Sequence, residues 1–173
     1  MEINASCNVP VLLIMFNRPA QALRVFERIR EVKPESLYLT VDGPRPDRLA
    51  DNEATKQCQE IATLVDWPCT IHTLFRAENL GCRQAVSSAI NWFFEHVEAG
   101  IILEDDCLPD LTFFDFCQVL LQRYVNEPKI MHIGELTYMV TIHGVQMPIS
   151  SPVYHTSGGG LPGVEPGNCM ISP

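Results

Sequence analysis

Basic side chains are scarce in this chain of 173 residues: 12 Lys and Arg stand against 21 Asp and Glu, a formal net charge of −9. Proteins that grip phosphate backbones present a Lys/Arg surface that displaces counterions, so a nucleic-acid partner is not expected. The seven cysteines are odd in number, scattered, and contain no Cys-x-x-Cys pair. Neither a zinc site nor a disulfide framework is signalled, and reduced thiols in a cytoplasm are the expectation. The opening MEINASCN lacks a basic start and a long apolar stretch, and no apolar run approaches the ~20 residues that span a bilayer. A cytoplasmic protein with no transmembrane segment is expected. Internal repeats and low-complexity linkers are missing as well.

What is present is apolar content, 46%, sufficient for one core. One domain is expected over residues 1–149, followed at 150–173 by a tail rich in Gly, Pro and Ser that is expected to be poorly ordered. Val9 to Phe16 (VPVLLIMF) is a continuous apolar run of strand length, the pattern of a strand covered on both faces. Pro19 suits a first helical turn, and Leu23, Phe26 and Ile29 recur at roughly helical spacing before Lys33-Pro34. Ser36 to Val41 reads as a second strand ended by the turn Asp42-Gly43-Pro44. Leu49 to Val65 is helix-like, and Cys69 to Phe75 alternates like a third strand. Gly81 precedes a helix with Ala85, Ala89, Phe93 and Val97 on one face and Gly100 at its end. Ile101 to Leu103 is a short fourth strand. Asp110 fits an N-cap for a helix carrying Phe113, Cys117, Leu120 and Tyr124, and Lys129 to Ile133 suggests a fifth strand. Strands alternating with helices predict an α/β fold, a Rossmann-like, mostly parallel sheet with helices on both faces.

In open parallel sheets ligands bind outside the carboxyl ends of the strands, where every strand-to-helix loop opens. Polar residues gather at four such ends: Asn17-Arg18-Pro19, Asp42-Gly43-Pro44-Arg45, Asn79-Leu80-Gly81-Cys82-Arg83 and Glu104-Asp105-Asp106. Extended geometry would set Glu104 and Asp106 on one side of the chain, ~7 Å apart, with Asp105 on the other. Two like charges at that distance repel by about 2 kcal/mol at an effective dielectric near ~20. A hard divalent cation relieves that repulsion, and Mg²⁺ or Mn²⁺ favours one or two carboxylates completed by waters and substrate phosphates. An acidic run in a loop is ordinarily solvated surface. Placement directly after an apolar strand, at the edge that carries Arg18 and Asp42, favours a site. Trp92, Phe93 and Phe94 read as core, and His72 and His96 as packing or surface.

The segments PVLLIMFNRP, LYLTVDGPR, NLGCRQAVSSAINWFF and IILEDDCLPDLTFFDF, in that order over about residues 9 to 125, resemble nucleotide-diphospho-sugar transferases of the GT-A fold. The resemblance is to a bacterial hemolytic-protein-like group related to eukaryotic N-acetylglucosaminyltransferases. It implies a glycosyltransferase that binds a nucleotide-sugar donor, a UDP-sugar, with Mn²⁺ or Mg²⁺, and a glycan or other hydroxyl acceptor. It further implies Arg18 near the uracil or ribose, Asp42 at the uracil ring, Glu104 and Asp105 facing the nucleotide, and Asp106 as the direct metal ligand. The Asn79 to Arg83 loop is expected near the sugar or phosphates, with Gly81 permitting close backbone contact and Arg83 adding charge.

The chain departs from that pattern after the acidic motif. The family continues into an acceptor-binding half with a Trp-Gly-Trp-like segment, whereas here no Trp follows Trp92 and the sequence runs YHTSGGGLPGVEPGNCMISP. A truncated chain, or a change of reading frame near Ser157, is the expectation, and no catalytic residue is assigned. Three readings stay open, in this order: a glycosyltransferase or its donor-binding half; a non-catalytic nucleotide-binding fragment or pseudoenzyme; and a Mg²⁺-dependent phosphoryl-transfer or receiver-like domain, which would use Asp42 and need a Lys on a later strand, for which Lys129 is poorly placed.

Overall fold

A computed structural model describes residues 8–127 and 130, and the backbone of three further strands at 132–135, 138–142 and 169–172. The elements in chain order are β1 (Val11–Met15), α1 (Pro19–Val32), β2 (Ser36–Val41), α2 (Leu49–Glu60) with a 3₁₀ turn at Ile61–Leu64, β3 (Thr70–Phe75), α3 (Cys82–Phe94), β4 (Ala99–Glu104), α4 (Leu111–Tyr124), β5 (His132–Glu135), β6 (Tyr138–Ile142) and β7 (Cys169–Ser172). The sheet order is β3-β2-β1-β4-β6-β5-β7. The first four strands in that order are parallel and the remaining pairings are antiparallel.

The continuous apolar run of β1 is explained by its place. It lies between β2 and β4, and all five of its residues are buried. Successive side chains alternate faces. Val11, Leu13 and Met15 join Leu37, Leu39, Ile101 and Leu103 in a core closed by α1, α2 and α4, whereas Leu12 and Ile14 join Tyr38 and Ile102 beneath α3. Helices therefore cover both faces, and the α/β, Rossmann-like reading of the sequence holds. Each fully buried Phe or Leu in these two layers contributes about 1.5–3 kcal/mol.

The helices start and stop for identifiable reasons. Pro19 opens α1, and Lys33 in the left-handed region closes it by donating its N–H to the Ile29 carbonyl at 3.0 Å. Its buried stripe is Ala22, Val25, Phe26 and Ile29, so Leu23, expected inward, stands on the outer side at 39% exposure. Asp110 caps α4, its carboxylate accepting from the Thr112 N–H at 3.0 Å. Gly100, expected to terminate α3, lies instead inside β4, one strand residue before Ile101. A Cβ there would collide with the Phe93 ring, so this glycine makes room for α3 to press its fully buried Phe93 onto the sheet. The fifth strand begins at His132, later than expected, and β6 was not anticipated. Of the tail at 150–173, Cys169–Ser172 pairs with β5; Lys129 and Gly158 to Gly160 lie outside the described residues.

Candidate functional site

The chain steps from β1 to β2 to β3 in one direction along the sheet, then crosses back over the opposite face to place β4 on the other side of β1. The carboxyl ends of β1 and β4 thus flank the point where the winding reverses. Loops on the two sides of such a point diverge to opposite faces and leave a crevice, the usual ligand position in open α/β sheets.

Arg18 and the acidic triplet meet there. The Arg18 guanidinium, at the mouth of α1, donates from Nη1 to Asp106 Oδ2 at 2.7 Å and lies 3.6 Å from Asp105 Oδ1. Asp105 turns inward, only 8% exposed, and accepts from the Phe16 N–H at 3.2 Å, which ties the end of β4 to the end of β1. The extended arrangement expected for the triplet stops at Glu104. Beyond it the chain bends into a turn closed by the Cys107 N–H on the Glu104 carbonyl at 3.1 Å, because the buried Asp105 must reach the Phe16 amide just past β1.

This crowding has an electrostatic cost. Desolvation first, then Asp106 and Asp105, raises the proton affinity of Glu104, with Arg18 opposing. Burial likewise raises that of Asp105, against the Phe16 N–H and Arg18. Arg18 is held in its charged form chiefly by the Asp106 hydrogen bond and then by the Asp105 charge. The Cys107 thiol is pushed up to about 11 by burial and then by Asp106, so it stays protonated near neutral pH and is no ready cation ligand.

A second group forms around Asp42, whose N–H donates to the Met15 carbonyl at 3.2 Å, fixing the end of β2 beside that of β1. Its buried carboxylate accepts from Asn79 Nδ2 at 2.9 Å and from the Leu80 N–H at 3.1 Å. Asn79 also donates to the Gly43 carbonyl at 2.8 Å. A Cβ on Gly43 would run into the Glu78 backbone, so glycine is required for the β2 and β3 loops to close on each other. The resemblance implied Asp42 at a uracil ring; in this structure its oxygens hold the Asn79–Leu80 loop. Gly81 has φ 76°, a backbone conformation that favours glycine, and no protein atom stands within 4 Å of where a Cβ would be. Gly81 and Arg83 line a surface groove of about 570 Å³ with Leu80, Cys82, Gln84 and Ser87. The predicted residues therefore fall into three neighbouring sets: Arg18 with Glu104, Asp105 and Asp106; Asp42 with Asn79; and Gly81 with Arg83.

Asp51 was missed. It is buried in the first turn of α2, accepts from Arg45 Nε at 2.6 Å and Nη2 at 3.0 Å, and accepts from Asn17 Nδ2 at 2.8 Å. The Arg45 guanidinium also lies 5.4 Å from the centre of the Phe16 ring. Asp51 thereby fastens the loop after β2 to the loop after β1. The available signal was an acidic residue in a helical first turn, six positions after an arginine at a strand end.

Among the described residues, no three His, Cys, Asp or Glu side chains converge on a common metal position, and no helix is long and apolar enough to cross a membrane. A divalent ion would have to take one or two rim carboxylates and complete its shell with water or ligand oxygens. The proton affinities of Glu104 and Asp105 are raised first by burial, with the neighbouring carboxylates adding to it and Arg18 opposing it. Asp106, with 52% of its side chain exposed, and Glu104, exposed at the end of β4, are the carboxylates within reach of solvent. The chain matches no protein-family model and no curated protein.

Proposed function

We propose that the rim where β1 and β4 end binds a nucleoside diphosphate sugar, and that the chain is a glycosyltransferase or the donor-binding half of one. The observation that supports this reading is the meeting of Arg18 with Asp105 and Asp106 at the reversal point of the sheet. Clustered carboxylates with a single arginine form a poor anion site alone and a good one with a divalent cation.

In this reading Asp106 ligates Mn²⁺ or Mg²⁺, and Glu104 assists from the strand end. A cation held there would supply neutralisation of the diphosphate and of the charge developing on the leaving nucleotide. The exposed Arg18 side chain exchanges its Asp106 partner for a phosphate or ribose oxygen, keeping a charge-assisted bond throughout. Asp105 holds the acidic turn against Phe16, and any oxygen left free accepts from a ribose hydroxyl. Asp42 acts on the ligand through the loop it holds, which sets where Asn79, Gly81 and Arg83 stand. Transfer to an acceptor hydroxyl requires a base that none of these residues is assigned to supply.

Isothermal calorimetry with UDP, GDP and CMP, each with and without Mn²⁺, tests the assignment. UDP binding that requires Mn²⁺ and is lost in Asp106→Ala is the expected result, and equal binding by both proteins would remove it. Hydrolysis or transfer of UDP-sugars then separates an enzyme from a nucleotide-binding fragment: metal-dependent binding without turnover favours the latter.

A further inference from the structure

Strand β3 ends the sheet, and among the described residues no strand pairs along its outer side. Natural edge strands are guarded by Lys, Pro, bulges or inward charges. β3 (TIHTLF) has none of these: it carries no charged residue and no proline, although the chain as a whole carries −9. It is also a full six residues long and pairs regularly with β2 throughout.

The direction of its backbone groups follows from the bonds to β2. Thr70 donates its N–H to the Glu35 carbonyl at 2.8 Å and Arg76 to the Val41 carbonyl at 3.0 Å. Alternate residues of a parallel strand bond to the same neighbour, so the N–H and C=O groups of Ile71, Thr73 and Phe75 point to the free side. The same three side chains share one face of the sheet, where Ile71 is 39% and Phe75 36% exposed. The opposite face is anchored by His72, which stacks on Tyr38 at 4.3 Å between ring centres.

We infer that this edge pairs with β3 of a second copy of the chain, antiparallel about a two-fold axis through Thr73, to form one continuous sheet across two molecules. The axis stands perpendicular to the sheet, so facing residues keep the same face and must have the same parity. With Thr73 opposite Thr73, Ile71 stands opposite Phe75 of the second copy, and every facing pair among these residues exchanges both N–H···O bonds. An aromatic opposite a β-branched residue and a Thr–Thr pair are favourable cross-strand neighbours. Arg76 then faces Thr70, so no like charges oppose each other, which is what two molecules of equal negative charge need in order to meet. The occupant is thus specified by the strand's own self-complementarity in hydrogen bonds, shape and charge.

Sedimentation velocity on the intact chain over a range of concentrations, with amide hydrogen exchange on the same samples, tests this. The expected result is a concentration-dependent dimer in which the Ile71, Thr73 and Phe75 amides gain protection as dimer forms. Thr73→Lys sets two ammonium groups opposite each other on the axis, and it raises the dimer dissociation constant by about tenfold or more with an unchanged circular dichroism spectrum. Val119→Lys, on the exposed side of α4, leaves association unaltered. A monomer at every concentration, a dimer indifferent to Thr73→Lys but broken by Val119→Lys, or β3 amides already protected in the monomer by the chain's own residues would each overturn the inference.

Discussion

Arg18 and Glu104 carry opposite expectations for stability and for binding. The Arg18–Asp106 pair is half-exposed, and exposed pairs contribute ~0–1 kcal/mol to folding. Arg18→Ala is therefore predicted to shift the melting temperature by no more than a few degrees while weakening metal-dependent UDP binding about tenfold or more, read by calorimetry. Glu104 works against the fold. Its proton affinity is raised in the folded chain, so the folded state holds its proton to higher pH than the unfolded one, and stability declines as pH rises above the ordinary value of ~4.3. Glu104→Gln is predicted to raise the melting temperature at pH ~7, with the gain fading as pH falls through ~4.3 and gone well below it, where both folded and unfolded Glu104 are protonated. On the proposed function the same variant is also predicted to lose affinity for Mn²⁺, read by calorimetry. A gain in binding, or a stabilisation that grows on acidification, would contradict this account, in which burial first and the neighbouring carboxylates second raise the proton affinity of Glu104.

At the scale of elements, Asp51 shows what local pattern conveys and what it leaves out. Its proton affinity lies well below the ordinary carboxylate range, first because of Arg45 and then, opposing burial, because of Asn17. A carboxyl with a lowered folded value contributes stability above its unfolded value of ~3.9 and loses it as pH falls through the folded one. Asp51→Asn is thus predicted to lower the melting temperature by several degrees at pH ~7 and by progressively less as the buffer is acidified, measured by circular dichroism. The α2 helix was visible from its polar periodicity, yet its fastening to β1 was not, because Asn17 and Asp51 are 34 positions apart and nothing local joins them. The N-cap Asp110 and the Pro19 start were legible because capping depends on neighbours within one turn. Gly100 was misread for the same reason in reverse. A glycine after a helical stretch ordinarily ends it, and only the Phe93 ring pressed against this one explains a glycine within a strand. Phe93→Ala is accordingly predicted to cost about 3–5 kcal/mol in chemical denaturation, the range for emptying a buried aromatic site.

For the whole molecule, the sequence indicated an α/β class and four polar strand ends along one edge, but not which of those ends adjoin. Strand order is a non-local property. It emerges when β3 is joined back to β4 over the opposite face, which seats Arg18 beside Asp105 and Asp106 and leaves Asp42 committed to Asn79 and Leu80. The proposed nucleoside diphosphate has two candidate places: the rim where β1 and β4 end, with its acidic turn and arginine, and the groove at the start of α3 lined by Leu80, Gly81, Cys82, Arg83, Gln84 and Ser87. The most direct test follows backbone amide resonances of the intact chain during titration with UDP in the presence of Mg²⁺. The account predicts the largest shifts at Phe16 to Arg18 and at Glu104 to Cys107, vanishing when Mg²⁺ is chelated; shifts confined to the α3 groove, or unchanged by chelation, would contradict it.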